Sequence, residues 1–249
     1  MIIIKNDKEI DLMRIAGRIV AETLLLVEKE VKPGITTAEL DRIAEEFITK
    51  HGATPSFKGL YGFPASLCIS VNEQVVHGIP GGYVLKEGDI ISVDCGAHIN
   101  GFHGDAARTF AVGNISEEAK RLIKVTEESF FKGLEFAKVG NKLTDISHEI
   151  QRYVEASGFS VVREFVGHGI GKSVHEDPEV PNFGRPGRGP KLVAGMALAI
   201  EPMVNMGTYR VATLGDDWTV VSADKSLSAH YENTVVILPD GPEILTLIK

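Results

Sequence analysis

The sequence predicts an α+β fold in which helices cover a mainly antiparallel sheet, built from two related halves. Three observations carry this. Amphipathic helical patterns with N-capping residues come in pairs, once at the start of the chain and again near its middle. Each pair is followed by apolar, β-branched runs separated by turn residues. The chain also matches itself at an ungapped offset of 106 residues: Lys32 aligns with Lys138, Gly34 with Gly140, Glu39 with Asp145, Leu40 with Ile146, Phe47 with Tyr153 and Gly52 with Gly158. Any one match is noise, but several at one offset suggest a duplicated unit of helix, helix, then strands. Shared helix-entry chemistry is the plainer alternative. The expected organisation is one domain over 1–249 with halves of about 1–115 and 116–249.

The first helix is predicted from Lys8 to Glu30, with Ile10, Met13, Ile15, Ile19, Val20, Leu24 and Val27 on its apolar face. The second opens at "TTAEL", where Thr36 and Glu39 suit a capping box, and runs to about His51. Ser116, followed by Glu117 and Glu118, caps a third helix reaching about Phe136. A fourth covers about Leu143 to Ser157. The strand candidates are "SLCISV", "GDIISVDCGA", "MALAIEPMV" and "ENTVVILP".

A chain of 249 residues can bury a substantial core, and 43% hydrophobic with 24% charged residues is ordinary globular composition. The formal net charge of −8 argues against a nucleic-acid footprint, which needs clustered Lys and Arg. The apolar run in "MIIIKNDKEI" is too short for a signal peptide, and no stretch approaches the roughly 18 apolar residues of a membrane span. Cys68 and Cys95 make no disulfide framework and have no zinc-site spacing, so a reduced, cytoplasmic setting is expected.

The segment "SVDCGAHINGFHGDAARTF" breaks its apolar pattern with Asp94 and, eleven residues later, Asp105. Asn100-Gly101 is a strong hairpin-turn signal. With those two as the turn, Ile99 faces Phe102, His98 faces His103 and Asp94 faces Ala107, so Asp94 and Asp105 share one face as diagonal neighbours, about 7 Å apart between Cα atoms. A turn at Ile99-Asn100 would set them directly opposite, still on that face. Two buried like charges at that separation repel, and either a bound cation or a shared proton resolves the conflict. A lone carboxylate in an apolar run is usually a satisfied structural group; two on one hairpin face favour a site.

Three further positions interrupt apolar sequence. Glu201 ends a hydrophobic strand stopped by Pro202, and Glu232 stands just before another such strand. "VGHGIGKSVHEDP" holds His168 and His175 seven residues apart among glycines. That spacing does not suit a helical two-histidine metal site, whose ligands lie one turn apart, and fits a strand or loop bringing at least His168 to the site. Taken alone, each histidine is more often a satisfied core or surface residue than a ligand. Four carboxylates and an imidazole form a hard, mostly oxygen donor set, suited to paired Mn, Co, Fe or Zn ions. Water held by such ions is deprotonated near neutral pH and becomes a hydrolytic nucleophile.

Taken together, "NEQVVHGIP", "VDCGAHINGFHGDAARTF", "GHGIGKSVHEDP", "AIEPMV" and "SAHYENTVVI" resemble the type I methionine aminopeptidases, metallopeptidases of the pita-bread fold. The resemblance covers nearly the whole chain. It implies a curved sheet and five metal ligands at Asp94, Asp105, His168, Glu201 and Glu232, holding two divalent ions. It implies that Glu201 also shuttles the proton, and that His77 and His175 contact substrate near the scissile bond. It places the methionine side chain among Phe57, Phe63, Cys68 and Trp218, with Tyr61 nearby; plain core packing is the alternative for these apolar residues. The implied activity removes N-terminal methionine when the second residue is small. The implied partners are nascent polypeptide N termini, with ribosome association left open and a monomer expected. Two departures stand out: Val174 replaces a bulkier residue common in relatives, and His230 stands in a slot that is often Gln.

Two other readings compete. An X-Pro aminopeptidase or prolidase shares the five-ligand pattern, but adds an N-terminal domain, whereas here the first helix starts within ten residues of Met1. A non-enzymatic binding protein on the same fold would be expected to have lost ligands, and none is lost.

Overall fold

The computed structural model describes residues 1–248. Its four helices are α1 (Asp7–Glu30), α2 (Thr37–Lys50), α3 (Glu117–Leu134) and α4 (Leu143–Ala156). Helix α1 starts at an Asn6 N-cap, whose side chain accepts from the Glu9 amide while Glu9 bonds back to the Asn6 amide. Only half of the box expected at α2 forms. Thr36 accepts from the Glu39 amide, but the Glu39 carboxylate pairs with Arg42 one turn on. Ser116 caps α3 through the Ala119 amide as expected.

On α1, Ile15 departs from the expected apolar face and is exposed, while Ala16 and Gly17 are buried. The buried stripe follows Ile10, Met13, Gly17, Val20, Leu24 and Val27, and Ile15, two residues from both Met13 and Gly17, projects from the opposite, solvent-facing side. Gly17 marks the closest approach: a Cβ there would lie 2.4 Å from the Leu245 carbonyl oxygen, and one on Gly104 would lie 2.8 Å from the Gly17 nitrogen.

All strand pairings among the described residues are antiparallel. The first main sheet centres on the hairpin Ile90–Ile99 and Phe102–Ala111, flanked by Leu67–Val71 and Thr54–Pro55. Its register is the one set by an Asn100-Gly101 turn: Ile99 opposes Phe102, His98 opposes His103 and Asp94 opposes Ala107. Both turn residues have positive φ, 53° and 80°, as a two-residue primed turn requires. The second main sheet runs Gly241–Ile244, Asn233–Leu238, Ala197–Ile200, Gly167–Gly169, Glu176–Val180. One apolar core lies between α1, α2 and the first sheet, around Leu40, Ile48, Leu67 and Ile91. Another lies between α3, α4 and the second, around Leu122, Phe130, Ile146 and Leu198.

Several backbone bonds recur near the offset of 106. Gly34 N donates to Leu85 O and Gly140 N to Leu192 O; Leu85 N donates to Ile35 O and Leu192 N to Asn141 O. The amides of Gly88 and Gly195, 107 residues apart, also each donate to a neighbouring strand, to Val112 O and Ile237 O, although those acceptors lie 125 apart; each bond introduces a central sheet strand. The strand after Gly88 carries Asp94, and the strand after Gly195 leads to Glu201.

Gly17→Ala tests the packing of α1 on the sheets. At an exposed helical site this change gains about 1 kcal/mol of helix propensity. Here the new methyl meets backbone that cannot rotate away, so a net loss of about 1–3 kcal/mol is expected, read as a lower urea midpoint. An unchanged or raised midpoint contradicts the close approach.

Candidate metal centre and active site

The two sheets meet where the edge of the first hairpin touches the start of the last long strand. Ala107 N donates to Glu232 O and Glu232 N to Ala107 O, and Asp105 exchanges backbone bonds with the Thr234 hydroxyl. Around this junction opens a cavity of about 550 Å³ lined by Asp94, Asp105, His168, Glu201 and Glu232. His77, His175, Phe57, Phe63, Cys68 and Trp218 line the same cavity. The structure therefore brings every site residue expected from the sequence to one place, across 176 positions from Phe57 to Glu232.

Its carboxylate end is polar and buried. Asp105 and Glu232 are 3% and 2% exposed. Ligand-capable atoms of Asp105, His168 and Glu232 all lie within 4.8 Å of one another, and His168 Nε2 lies 3.5 Å from Glu201 Oε1. Among the described residues, Asp94 Oδ1, Asp105 Oδ1 and Glu232 Oε1 are buried without a hydrogen-bond partner. Burial pushes the Asp94 carboxyl up to about 7, with Glu201 adding to the rise and His230 opposing it. Burial first, and then neighbouring carboxylates, hold Asp105 and Glu232 well above the usual range; burial alone does so for Glu201. Converging carboxylates with orphaned oxygens are costly unless they share protons or face a cation.

His168 completes the donor set. Its Nδ1 lies 2.9 Å from the Gly169 carbonyl oxygen, which makes Nδ1 the protonated nitrogen and turns the Nε2 lone pair toward the carboxylates. Burial lowers its pKa to about 4, so the ring is neutral at pH 7 and able to ligate. The residues fit divalent metal on three counts: oxygen-rich donors, a neutral imidazole, and unpartnered oxygens aimed into one space.

Beside the carboxylates lies an apolar slot of Phe57, Phe63, Ala65, Cys68 and Val174, with Trp218 packed against it. Phe63 meets Trp218 edge-to-face at 5.1 Å. Tyr61 is 78% exposed, at the slot's outer rim. His77 sits between slot and carboxylates, its ring edge-on to Phe165 at 5.6 Å and to Trp218 at 6.5 Å. Its backbone is held at φ 58°, a strained region for a side-chain-bearing residue. Gly78 beside it leaves no room for a Cβ, which would lie 2.2 Å from the Ile69 carbonyl oxygen. His175 faces His168 edge-on at 4.5 Å. Desolvation inside the cavity lowers the pKa of both rings, His77 to about 4 and His175 in the same direction although that residue is exposed overall.

Sequence reasoning gave no role in the site to several neighbours, including His230, which it noted only as a departure. Val76, Phe165 and Met203 line the cavity but read in sequence as ordinary core. His230 turns a buried, unpartnered Nε2 to within 3.5 Å of Glu201 Oε2. Arg108 is buried behind the junction, donating to Ala107 O, Glu232 O and Asn233 Oδ1 at 2.7, 2.5 and 2.7 Å, with its guanidinium 4.2 Å from the Tyr231 ring centre.

A family model described as metallopeptidase family M24 matches residues 11–239. The chain belongs to metallopeptidase family M24. It is therefore a hydrolase of a divalent-metal family, and its antiparallel sheets and four helices are those of the pita-bread fold. Among its M24 relatives, the chain is similar to a methionine aminopeptidase of Clostridium perfringens, 79% identical over 100% of both chains. It is also similar to methionine aminopeptidase 1 of Bacillus subtilis, 58% identical over 100% of both. A solved methionine aminopeptidase structure from Thermotoga maritima superimposes with a TM-score of 0.98 at 47% identity, covering 100% of each chain.

The displaced pKa values set a pH signature for metal removal. Asp94 has a folded value near 7 against an ordinary 3.8, so in metal-free protein its stabilising contribution is full below about pH 4 and lost as pH rises through 7. His77, His168 and His230, lowered from 6.5 to about 4, work the other way and lose their contribution as pH falls through that window. Metal binding relieves the carboxylate side and competes with protons for the same oxygens. Adding Mn²⁺ at about a hundred times its Kd to chelator-stripped protein should stabilise it by roughly 2.7 kcal/mol at pH 8, and by clearly less at pH 5.5. Calorimetric unfolding with and without the ion measures both; an equal gain at the two pH values contradicts the assignment.

Proposed function

We propose that this protein removes the N-terminal methionine from nascent proteins and peptides whose second residue is small, as a single catalytic domain of two related halves working in the cytoplasm. The observation that carries the reading is the junction of two chemistries in one cavity: five metal-type donors at one end and the Phe57, Phe63, Cys68 and Trp218 slot at the other. A soft thioether fits such a slot, where sulfur meets aromatic edges. The relatives named methionine aminopeptidase, matched over the full chain, support the same substrate.

In this reading Asp94, Asp105, His168, Glu201 and Glu232 hold two divalent ions, drawn from Mn, Co, Fe or Zn. Bound there, the ions acidify a water and polarise the scissile carbonyl. The chain's own residues do the rest. The slot seats the methionine side chain and excludes water from around it. Glu201, whose buried carboxyl readily takes up a proton, removes one from the attacking water and returns it to the leaving amine. His77 and His175, neutral and aimed into the cavity, donate hydrogen bonds where negative charge develops. The partners are N termini of new chains. No helix among the described residues is long and apolar enough to cross a membrane, and a monomer suffices because one chain supplies the whole donor set.

Glu201→Gln keeps the shape of the side chain and removes its basicity. Turnover of a Met-Ala-Ser peptide should fall at least about a hundredfold. Near wild-type turnover refutes the shuttle. His77→Ala and His175→Ala should also slow turnover yet retain both ions by elemental analysis, and loss of an ion from either variant would make it a ligand.

Substrate choice is tested with metal-loaded protein on Met-Ala-Ser, Leu-Ala-Ser and Ala-Pro-Ser peptides. Only the first should be cut efficiently, and preference for Ala-Pro-Ser would instead indicate an X-Pro aminopeptidase. Lengthening the second residue from Ala to Leu should cost about ten- to a hundredfold in kcat/KM. By the same argument a Met-Ile-Ser peptide, with a bulky β-branched second residue, should be cut far more slowly than Met-Ala-Ser.

A further inference from the structure

The loop 171–175 carries Val174 and His175 over the cavity; Val174 is its one apolar anchor, buried in the slot, while Lys172, Ser173 and His175 are exposed. What shapes it is the carboxylate of Glu176. Glu176 Oε1 accepts from the Lys172 amide at 2.8 Å and from the Ser173 amide at 3.3 Å. Its other oxygen, Oε2, takes Lys5 Nζ at 2.5 Å. The two side chains are 2% and 6% exposed, so this is a buried ion pair, and Lys5 Nζ is also bonded to the Ile3 carbonyl oxygen at 3.0 Å.

Lys5 belongs to the arm that precedes α1, and the arm is itself fixed. Lys5 N donates to Gly195 O at 2.8 Å, at the turn leading into the strand that ends beside Glu201. The chain's first amine pairs with Asp177, at the cavity rim. Gly171 is hemmed in by the same pair: a Cβ there would lie 2.5 Å from Lys5 Cε and 2.6 Å from Glu176 Oε1. His175 is thus the residue between a loop folded around one carboxylate and that carboxylate's own backbone, with its ring 4.5 Å from His168.

We propose that Lys5 and Glu176 are positioning residues that hold the His175 loop over the substrate, which makes the N-terminal arm part of the active site's construction. A buried ion pair contributes little net stability, because desolvation of both groups offsets their attraction. Its value is geometric. The ammonium and two loop amides leave the carboxylate one orientation, and the loop inherits it. Removing one partner leaves a buried charge uncompensated, which either draws in water or swings out, and either movement carries the loop with it. Displacements on the order of 1 Å near reacting groups can cost a hundredfold.

The inference rests on the proposed methionine-removal reading with His175 as a substrate contact, and the test separates the two. Metal-loaded full-length protein is assayed on a Met-Ala-Ser peptide as wild type, K5M, H175A and K5M/H175A, with bound metal determined for each. If the wild type does not cleave the peptide, the functional reading fails and the inference with it. If it does, K5M should lose about ten- to a hundredfold in kcat/KM while keeping its full metal content. The decisive comparison is the double variant. K5M/H175A should be no slower than H175A alone, since a loop without its histidine has nothing left to position. K5M at wild-type rate, or losses that multiply in the double variant, would overturn the proposal. Should K5M not fold, K5M/E176Q leaves no lone buried charge and enters the same comparison with H175A.

Discussion

The structure depends on keeping four carboxylates close together at the junction of two sheets. Asp94 and Asp105 come from one hairpin, Glu201 from the end of the second sheet's central strand, and Glu232 from the segment that stitches the two sheets together. Left alone, such a cluster drives its members toward the protonated state, as the raised values of all four show. The surrounding backbone gives them no other arrangement. The Ala107–Glu232 bonds and the paired Thr234–Asp105 bonds lock the junction, and Arg108 closes it from behind with three charge-assisted bonds. A strained but fixed anionic pocket is what a divalent cation relieves, so the cost of folding the apo-protein becomes affinity for metal.

This junction also explains why the fold needs both sheets. Neither hairpin alone holds more than two of the donors. The turn bonds at Gly88 and Gly195 introduce the strands that carry Asp94 and lead to Glu201, so each of the two sheets brings a carboxylate to the same cavity six residues after its turn glycine. His168 enters from the strand next to Ala197–Ile200, where antiparallel pairing sets it opposite Ala199. The apolar slot comes from a different part of the chain, the loop and strand between α2 and the first hairpin, closed by Trp218 and Val174. In the proposed reading, cleavage chemistry and side-chain selection are thereby built on separate elements that line one cavity.

Much of this was legible because local rules and tertiary structure agree. Asn100-Gly101 set the hairpin register to the residue, and with it the shared face of Asp94 and Asp105. The helix caps at Ser116 and Thr36 and the apolar runs that became Leu67–Val71 and Asn233–Leu238 were equally readable. The misses have physical causes. Ile15 faces away from a stripe whose centre is Gly17, a residue that periodicity of apolar side chains does not count. Glu39 had a nearer cation in Arg42 than its own N-cap. Phe165 and Met203 reach the cavity by tertiary placement alone, and nothing in a hydrophobic residue's identity separates a lining from a core. Which residues would hold metal and which would touch substrate came from the family resemblance, since spacing along the chain is silent on contacts between residues over a hundred positions apart.

The same limit hid the arm. Lys5 and Glu176 are 171 positions apart, and each reads in sequence as a solvated surface charge. Burial changes their meaning, because a buried charge must be satisfied and therefore dictates the position of whatever satisfies it. His77 shows the complementary device. Its backbone is held at φ 58°, and Gly78 is pressed against the Ile69 carbonyl. One histidine is held by strained backbone packed against the first sheet's Ile69, the other by an ion pair reaching back to the N-terminal arm. A site that must hold two neutral donors against a cluster of carboxylates cannot rely on attraction to place them, since neutral rings are only weakly drawn to that charge. Rigid backbone does it on one side and a buried ion pair on the other.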